Sequence, residues 1–314
     1  MRKDFVKALE PLVAADPRAI FFSGDLGFQA FEELSARLGP RFVNAGVAEQ
    51  NMIGVAAGVA LAGMNAWVYS IAPFATFRCL EQIRNDVCLH DLPVRVVGNG
   101  GGYTYGMMGS THHALEDLAA LKALPNMELF FPCTNSHVAA AVDVMHRLGG
   151  PAYLRLAISG FASDAAPLSE NPATLTRLYQ RRKSERGITI VGAGHAVQIV
   201  LTARGGALGE ADADIFGVAR HPLRLDEDTE LAESIAATGR VLFVEEHYAS
   251  GGIGESFLRE SVGRVRGGIR DFRLLAPSHR PDHKVGSAAF LLRQAGMTPE
   301  RVTEVATTML AGAE

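Results

Sequence analysis

Short β-branched and aromatic runs alternate along the chain with longer stretches whose apolar residues recur at helical spacing. The short runs predict strands at 19–23, 66–71, 94–97, 128–131 and 152–156, and the stretches between them predict helices at 28–38, 49–62, 74–89, 114–123 and 136–148. The stretch 49–62 is rich in Ala and Gly, as suits a helix packed closely between other elements. Near 159–186 the periodicity lapses, and Pro, Ser and Ala give way to Arg181-Arg182-Lys183, read as a solvated connector. Alternation then resumes, with strands expected at 188–191, 214–218, 241–245 and 271–275 and helices at 196–208, 228–237, 254–260 and 284–295. Strands alternating with helices make an α/β fold with mainly parallel sheets. The expectation is two doubly wound α/β domains, 1–158 and 187–314, joined by a linker at 159–186.

Composition narrows the classes of function. With 314 residues, 48% hydrophobic and 20% charged, the chain is long and apolar enough to bury two cores. Thirty basic against thirty-four acidic residues leave a net charge of −4, without the basic excess of a nucleic-acid binder. Cys79, Cys88 and Cys133 are sparse and form no CxxC pair, which argues against a disulfide framework or a zinc ribbon. The opening MRKDFVKALEPL carries acids and has no apolar core, unlike a secretory leader. No apolar run approaches the roughly 20 residues a membrane span needs. A soluble, cytoplasmic chain acting on a small molecule is the expectation, with neither nucleic acid nor membrane as partner.

Three segments could carry chemistry. In Asn44-Ala-Gly-Val-Ala-Glu-Gln-Asn51 a carboxylate opens a helix between small residues. Glu49 is there either as a first-turn acid stabilised by the helix dipole or as a carboxyl that shares a proton with a ligand nitrogen. In Pro73-Phe-Ala-Thr-Phe-Arg78, Phe74 and Phe77 share a helix face, as core or as a stacking wall for a flat ring. The glycine-rich loop from Gly98 to His113 follows a strand, where open α/β sheets place ligands. Its paired His112 and His113 can donate hydrogen bonds or act as a general base, but neighbours in sequence chelate metals poorly. His113 with Glu116 has no further ligand at metal spacing, so no metal site is assigned. Gly192-Ala-Gly194 lacks the rest of a dinucleotide fingerprint and reads as a tight turn. Ser23-Gly-Asp-Leu offers one carboxylate, too few for magnesium.

Five segments in this order resemble the C-terminal half of a transketolase. They are Ser23-Gly-Asp-Leu, Gly46-Val-Ala-Glu-Gln-Asn, the Phe74 region with Glu81-Gln-Ile-Arg-Asn, Gly109-Ser-Thr-His-His-Ala-Leu-Glu-Asp-Leu, and Val244-Glu-Glu-His-Tyr-Ala-Ser-Gly-Gly-Ile-Gly. The resemblance implies a pyrimidine-binding domain followed by a transketolase C-terminal-like domain, without the domain that grips the cofactor diphosphate. It therefore implies a split enzyme: a separate N-terminal subunit supplies most of the grip on diphosphate and Mg2+, thiamine diphosphate lies between subunits, and the chain self-associates into a two-plus-two assembly. Glu49 matches the glutamate on N1′ of the aminopyrimidine, Phe74 the aromatic on that ring, and Phe77 its neighbour. Asp25 matches an acid near the cofactor and subunit contact, and His112 a histidine that touches substrate.

The departures from the family pattern bear on substrate. In Gly106-Met-Met-Gly-Ser-Thr-His112, Met108 replaces an aspartate that reads a substrate hydroxyl. The run Gly100–Gly102 replaces a histidine, and Ile158 replaces an arginine for the substrate phosphate. Loss of a bidentate phosphate partner weakens sugar-phosphate binding, with His113 and Tyr103 or Tyr105 as compensating groups. The resemblance thus implies two-carbon ketol transfer with an atypical or less phosphorylated substrate. The alternatives are an activity like 1-deoxyxylulose-phosphate synthase, a 2-oxoacid dehydrogenase β-subunit, or a non-catalytic assembly partner.

Overall fold

The computed structural model describes residues 1–158, 165–184, 186–265, 267–277 and 283–312. Its strands are β1 (Ala19–Ser23), β2 (Phe42–Asn44), β3 (Asn65–Ile71), β4 (Val94–Gly101), β5 (Glu128–Phe130), β6 (Ala152–Ala157), β7 (Ser169–Asn171), β8 (Thr176–Gln180), β9 (Ile188–Ala193), β10 (Ala213–Val218), β11 (Arg220–His221), β12 (Arg240–Glu245) and β13 (Asp271–Leu275). They form a seven-stranded sheet ordered β11-β5-β6-β4-β3-β1-β2 and a six-stranded sheet ordered β13-β12-β9-β10-β8-β7. Both are α/β sheets of mainly parallel strands.

Period-two alternation splits the core of the first sheet between its faces. Along β3, Trp67 and Tyr69 join the apolar cluster that contains Phe5 and Leu9, while Ala66 and Val68 join the cluster of Met52, Ile53 and Ala56. The first face is covered by helix Arg2–Ala15, the second by helix Glu49–Leu61. The sequence reading missed helix Arg2–Ala15, although its buried Phe5, Val6, Leu9 and Val13 carry helical spacing.

Several expectations need correction. The sheets are mainly parallel as expected, but the short antiparallel additions were not foreseen: β11 runs antiparallel to β5, and β8 and β7 close the second sheet antiparallel. Arg220 fastens β11 by hydrogen-bonding the Glu128 carboxylate at 2.9 Å while lying over the Phe130 ring. The stretch 159–186 is more than a connector, since β7 and β8 lie in it; residues 159–164 and 185 lie outside the described residues. Nor is the charge run merely solvated. Arg182 pairs through its side chain with the fully buried Asp214, and its backbone N–H donates to the same carboxylate at 2.8 Å. The helix expected at 28–38 begins only at Glu32, because Asp25 and Gln29 take positive φ and Gln29 N–H donates to Glu32 at 2.6 Å. The helix expected at 74–89 breaks at Cys79, whose φ of −106° and ψ of 8° separate Ala72–Thr76 from Leu80–Gln82 and a following π-turn at Ile83–Cys88.

Candidate active site

The chain leaves the carboxyl ends of β1, β2, β3, β4 and β6 on one edge of the first sheet, the edge where open α/β sheets bind ligands. After β2, Asn44 accepts from the Gly46 N–H at 3.0 Å and Gly46 turns with φ 69°, which brings Glu49 to the first position of its helix. The helix dipole favours a carboxylate there. Glu49 is buried, 1% exposed, and both its oxygens are engaged. Oε1 accepts from the Ser70 hydroxyl at 3.1 Å and Oε2 from Arg78 Nη1 at 2.7 Å. Gly24 makes the approach possible, because a Cβ there would lie 3.1 Å from Ser70 Oγ and 3.6 Å from Glu49 Cγ.

The break at Cys79 leaves Arg78 at the end of its helical turn, and its guanidinium lies 4.7 Å from the centre of the Phe74 ring. On Phe74 the His112 ring also packs edge-on, with centroids 5.0 Å apart. Tyr105 stands 6.4 Å from His112, and its hydroxyl accepts from Asn99 Nδ2 at 2.5 Å. Burial raises the Tyr105 phenol above its usual range. Beneath, Cys79 is pushed up to about 12, chiefly by burial and further by the nearby Glu49 charge, so it is an inert thiol.

The second half of the chain holds this loop in place. Glu246, buried beside β12, accepts from the Tyr103 N–H at 2.8 Å. The φ of +62° at Gly102 and the 2.2 Å that would separate a Cβ there from Glu246 Oε1 leave room only for glycine. Arg155, buried, donates to Asp117 at 3.0 Å and to the Glu246 carbonyl at 3.0 Å, and Tyr153 donates to Asp117 at 2.7 Å. Glu245 accepts from the Ile253 and Gly254 N–H groups at 2.7 and 3.2 Å, capping helix Ile253–Ser261. Burial raises both glutamates to about 7.

Of the residues singled out from sequence, Glu49, Phe74, His112 and Tyr105 are brought together. Phe77 is placed one turn on from Phe74, 39% exposed. Asp25, exposed, accepts from Asn44 Nδ2 at 2.9 Å on the same edge and stands beside Gly24. Met108 is 58% exposed in the turn before His112, and Ile158 is exposed with its N–H donating to Thr104 at 2.9 Å. His113 turns inward against the Tyr103 ring, centroids 5.1 Å apart, so the two histidines point apart. Gly192-Ala-Gly194 is a tight turn, since a Cβ on Gly192 would lie 2.5 Å from the Val197 Cα. Among the described residues no group of three or more His, Cys, Asp or Glu side chains is placed to hold a metal, and no helix is long and apolar enough to cross a membrane.

Sequence reasoning did not assign Ser70, Arg78, Asn99 or Glu246. Arg78 carried a usable signal, four residues after Phe74 and so on its helix face. Ser70, inside β3, carried none, and Glu246, just past the end of β12, was marked only by the family likeness of its segment, which gave it no role.

Residues 1–159 match the family described as "Transketolase, pyrimidine binding domain". The chain belongs to the transketolase family. It is 30% identical over 260 residues to an apulose-4-phosphate transketolase subunit of Phocaeicola vulgatus, covering 81% of this chain and 80% of that one. It is 31% identical to a putative transketolase C-terminal section of Methanocaldococcus jannaschii, over 81% of this chain and 79% of the relative. Likeness to the 6-deoxy-6-sulfo-D-fructose transketolase subunit SqwH of a Clostridium species spans 98% of this chain and 93% of that one at 27% identity. Among solved structures, a split-gene transketolase described as an inactive β4 tetramer superposes with TM-score 0.80 at 28% identity, over 99% of this chain and 97% of the other. The chain is thus a C-terminal subunit of a transketolase-like transferase, and the family implies dependence on thiamine diphosphate.

Proposed function

We propose that this chain supplies the aminopyrimidine half of a thiamine diphosphate site for ketol transfer, a separate N-terminal subunit supplying the diphosphate and Mg2+ half. The observation that carries the proposal is the joining of a buried Glu49 carboxylate to the Phe74 ring by one flat cation, the Arg78 guanidinium. A protonated aminopyrimidine is likewise flat and donates N–H, so the residues present fit the group. Glu49 would hold the proton at N1′, Phe74 would stack on the ring, and Ser70 would fix the unused oxygen of Glu49. When bound, thiamine diphosphate supplies the carbanion chemistry, and the protein's part is orientation and proton inventory. His112, beside Phe74, would donate to a substrate oxygen, with Tyr105 bordering it and Asp25 near the subunit contact.

The donor is a ketose and the acceptor an aldehyde, within carbohydrate metabolism. Met108 and Ile158 at exposed positions, where the family carries polar groups, favour an atypical or less phosphorylated substrate. Relatives named for apulose-4-phosphate and for 6-deoxy-6-sulfo-D-fructose support an unusual sugar. Relatives named as one subunit of a transketolase, or as its C-terminal section, support a partner chain, and the β4 neighbour described as inactive supports the need for it. Exposed Phe28, Val47 and Phe77 near the same edge suit assembly into two-plus-two. The three buried free cysteines suit a reducing, cytoplasmic setting.

The test is reconstitution with a separately produced N-terminal subunit, screening ketose donors against aldehyde acceptors. Ketol transfer without carbon dioxide release, abolished in Glu49→Gln, is expected. Carbon dioxide release would move the assignment to the 2-oxoacid dehydrogenase or deoxyxylulose-phosphate type. Unchanged turnover in Glu49→Gln would make the chain an assembly partner.

A further inference from the structure

We infer that Arg78 is a positioning residue that occupies the ring slot and is exchanged for the ring on binding. The inference rests on the reading above, that Glu49 and Phe74 hold an aminopyrimidine. Arg78 makes both contacts such a ring requires: Nη1 donates to Glu49 Oε2 at 2.7 Å, and the guanidinium carbon lies 4.7 Å from the Phe74 centroid. Both Glu49 oxygens are engaged, Oε1 accepting from Ser70 at 3.1 Å and Oε2 from the guanidinium that itself lies over the Phe74 ring. His112 flanks the same ring edge-on. A flat donor that stacks on Phe74 and reaches Oε2 therefore takes the place of the guanidinium. The Arg78 side chain is free to yield it, being 43% exposed and attached where the helix breaks before Cys79.

The exchange trades one charge-assisted hydrogen bond and one stack for another of each kind. Until the ring arrives, Arg78 keeps the buried Glu49 charge paired, since a buried carboxylate without a partner is costly. The slot then admits planar heteroaromatics with a protonatable nitrogen and rejects flat rings that cannot donate to Glu49. Measured affinity for the ring is accordingly a net value, reduced by whatever Arg78 contributes in its place.

The test uses the assembled two-subunit enzyme and calorimetric titration of thiamine diphosphate at saturating Mg2+. Exchange predicts that Arg78→Ala binds about three- to thirtyfold more tightly than wild type, the combined worth of a part-exposed ion pair and a cation–π contact. The same variant without ligand should melt lower, as Glu49 loses its counter-charge. Arg78→Lys keeps the charge but not the flat stack, and should tighten binding by roughly two- to fivefold; it carries the test if the alanine variant does not fold. Unchanged or weaker binding in the variants, with wild type binding normally, overturns the exchange alone. No binding by the wild-type assembly overturns the reading of the site and the exchange with it.

Discussion

Glu246 couples the second half of the chain to the loop that carries His112, and it makes stability depend on pH in a direction unusual for a carboxylate. Burial is the main cause that raises it to about 7 from its ordinary 4.5; Asp117 adds to the rise, while Arg155 and the Tyr103 N–H oppose it. Between those two values the unfolded chain has released the proton and the folded chain keeps it, so folding takes up a proton. Stability is therefore full at low pH and falls as pH rises through the folded value, by at most about 1.4 kcal/mol per pH unit. Integrated from about pH 5 to about pH 7, the loss from this one group is about 2 kcal/mol. Glu246→Gln keeps the volume and the Oε1 that accepts from Tyr103 but has no proton to lose. Urea unfolding of both proteins across that range isolates the effect, because Glu245, also raised to about 7, is present in both and cancels. The variant should gain about 2 kcal/mol on wild type from the low to the high end of the range. Parallel pH curves for the two proteins would refute the reasoning.

Other expectations follow from single contacts. Gly98→Ala would place a Cβ 2.4 Å from the hydroxyl of the buried Tyr153, and should cost about 1–3 kcal/mol in denaturant unfolding. Arg182→Ala strips the side-chain counter-charge from the fully buried Asp214, and should cost about 3 kcal/mol, with Asp214→Asn in the same background recovering part of it. Phe74→Ala removes a half-buried stacking face, so calorimetry with the assembled enzyme should show thiamine diphosphate affinity falling about tenfold while the unfolding midpoint moves little.

What was legible in the sequence was what local pattern encodes. β3, β4 and β6 are apolar runs buried on both faces, and Glu49 opens its helix where a small-residue turn follows an edge strand. Short antiparallel additions were not legible. β11 has two residues and is defined by Glu128 and Phe130 from far along the chain, not by its own composition. The charge run at 181–183 looked solvated because its partners, Asp212 and Asp214, lie some thirty residues on. The Glu245-Glu246-His247 segment was seen only through family likeness, and its role depends on burial: Glu245 caps a helix, Glu246 clamps a loop and His247, neutral with its value lowered to about 4 by burial, accepts from the Ala119 N–H. The pairing of Glu49 with Ser70 and Arg78 needed three segments to meet, which pattern along one chain does not report.

The most direct test of the split site is calorimetric titration of thiamine diphosphate with Mg2+ into this chain alone and into its mixture with the N-terminal subunit. The account predicts binding by the mixture only, lost on Glu49→Gln. Equally tight binding by this chain alone would contradict it, because the chain would then grip the diphosphate itself.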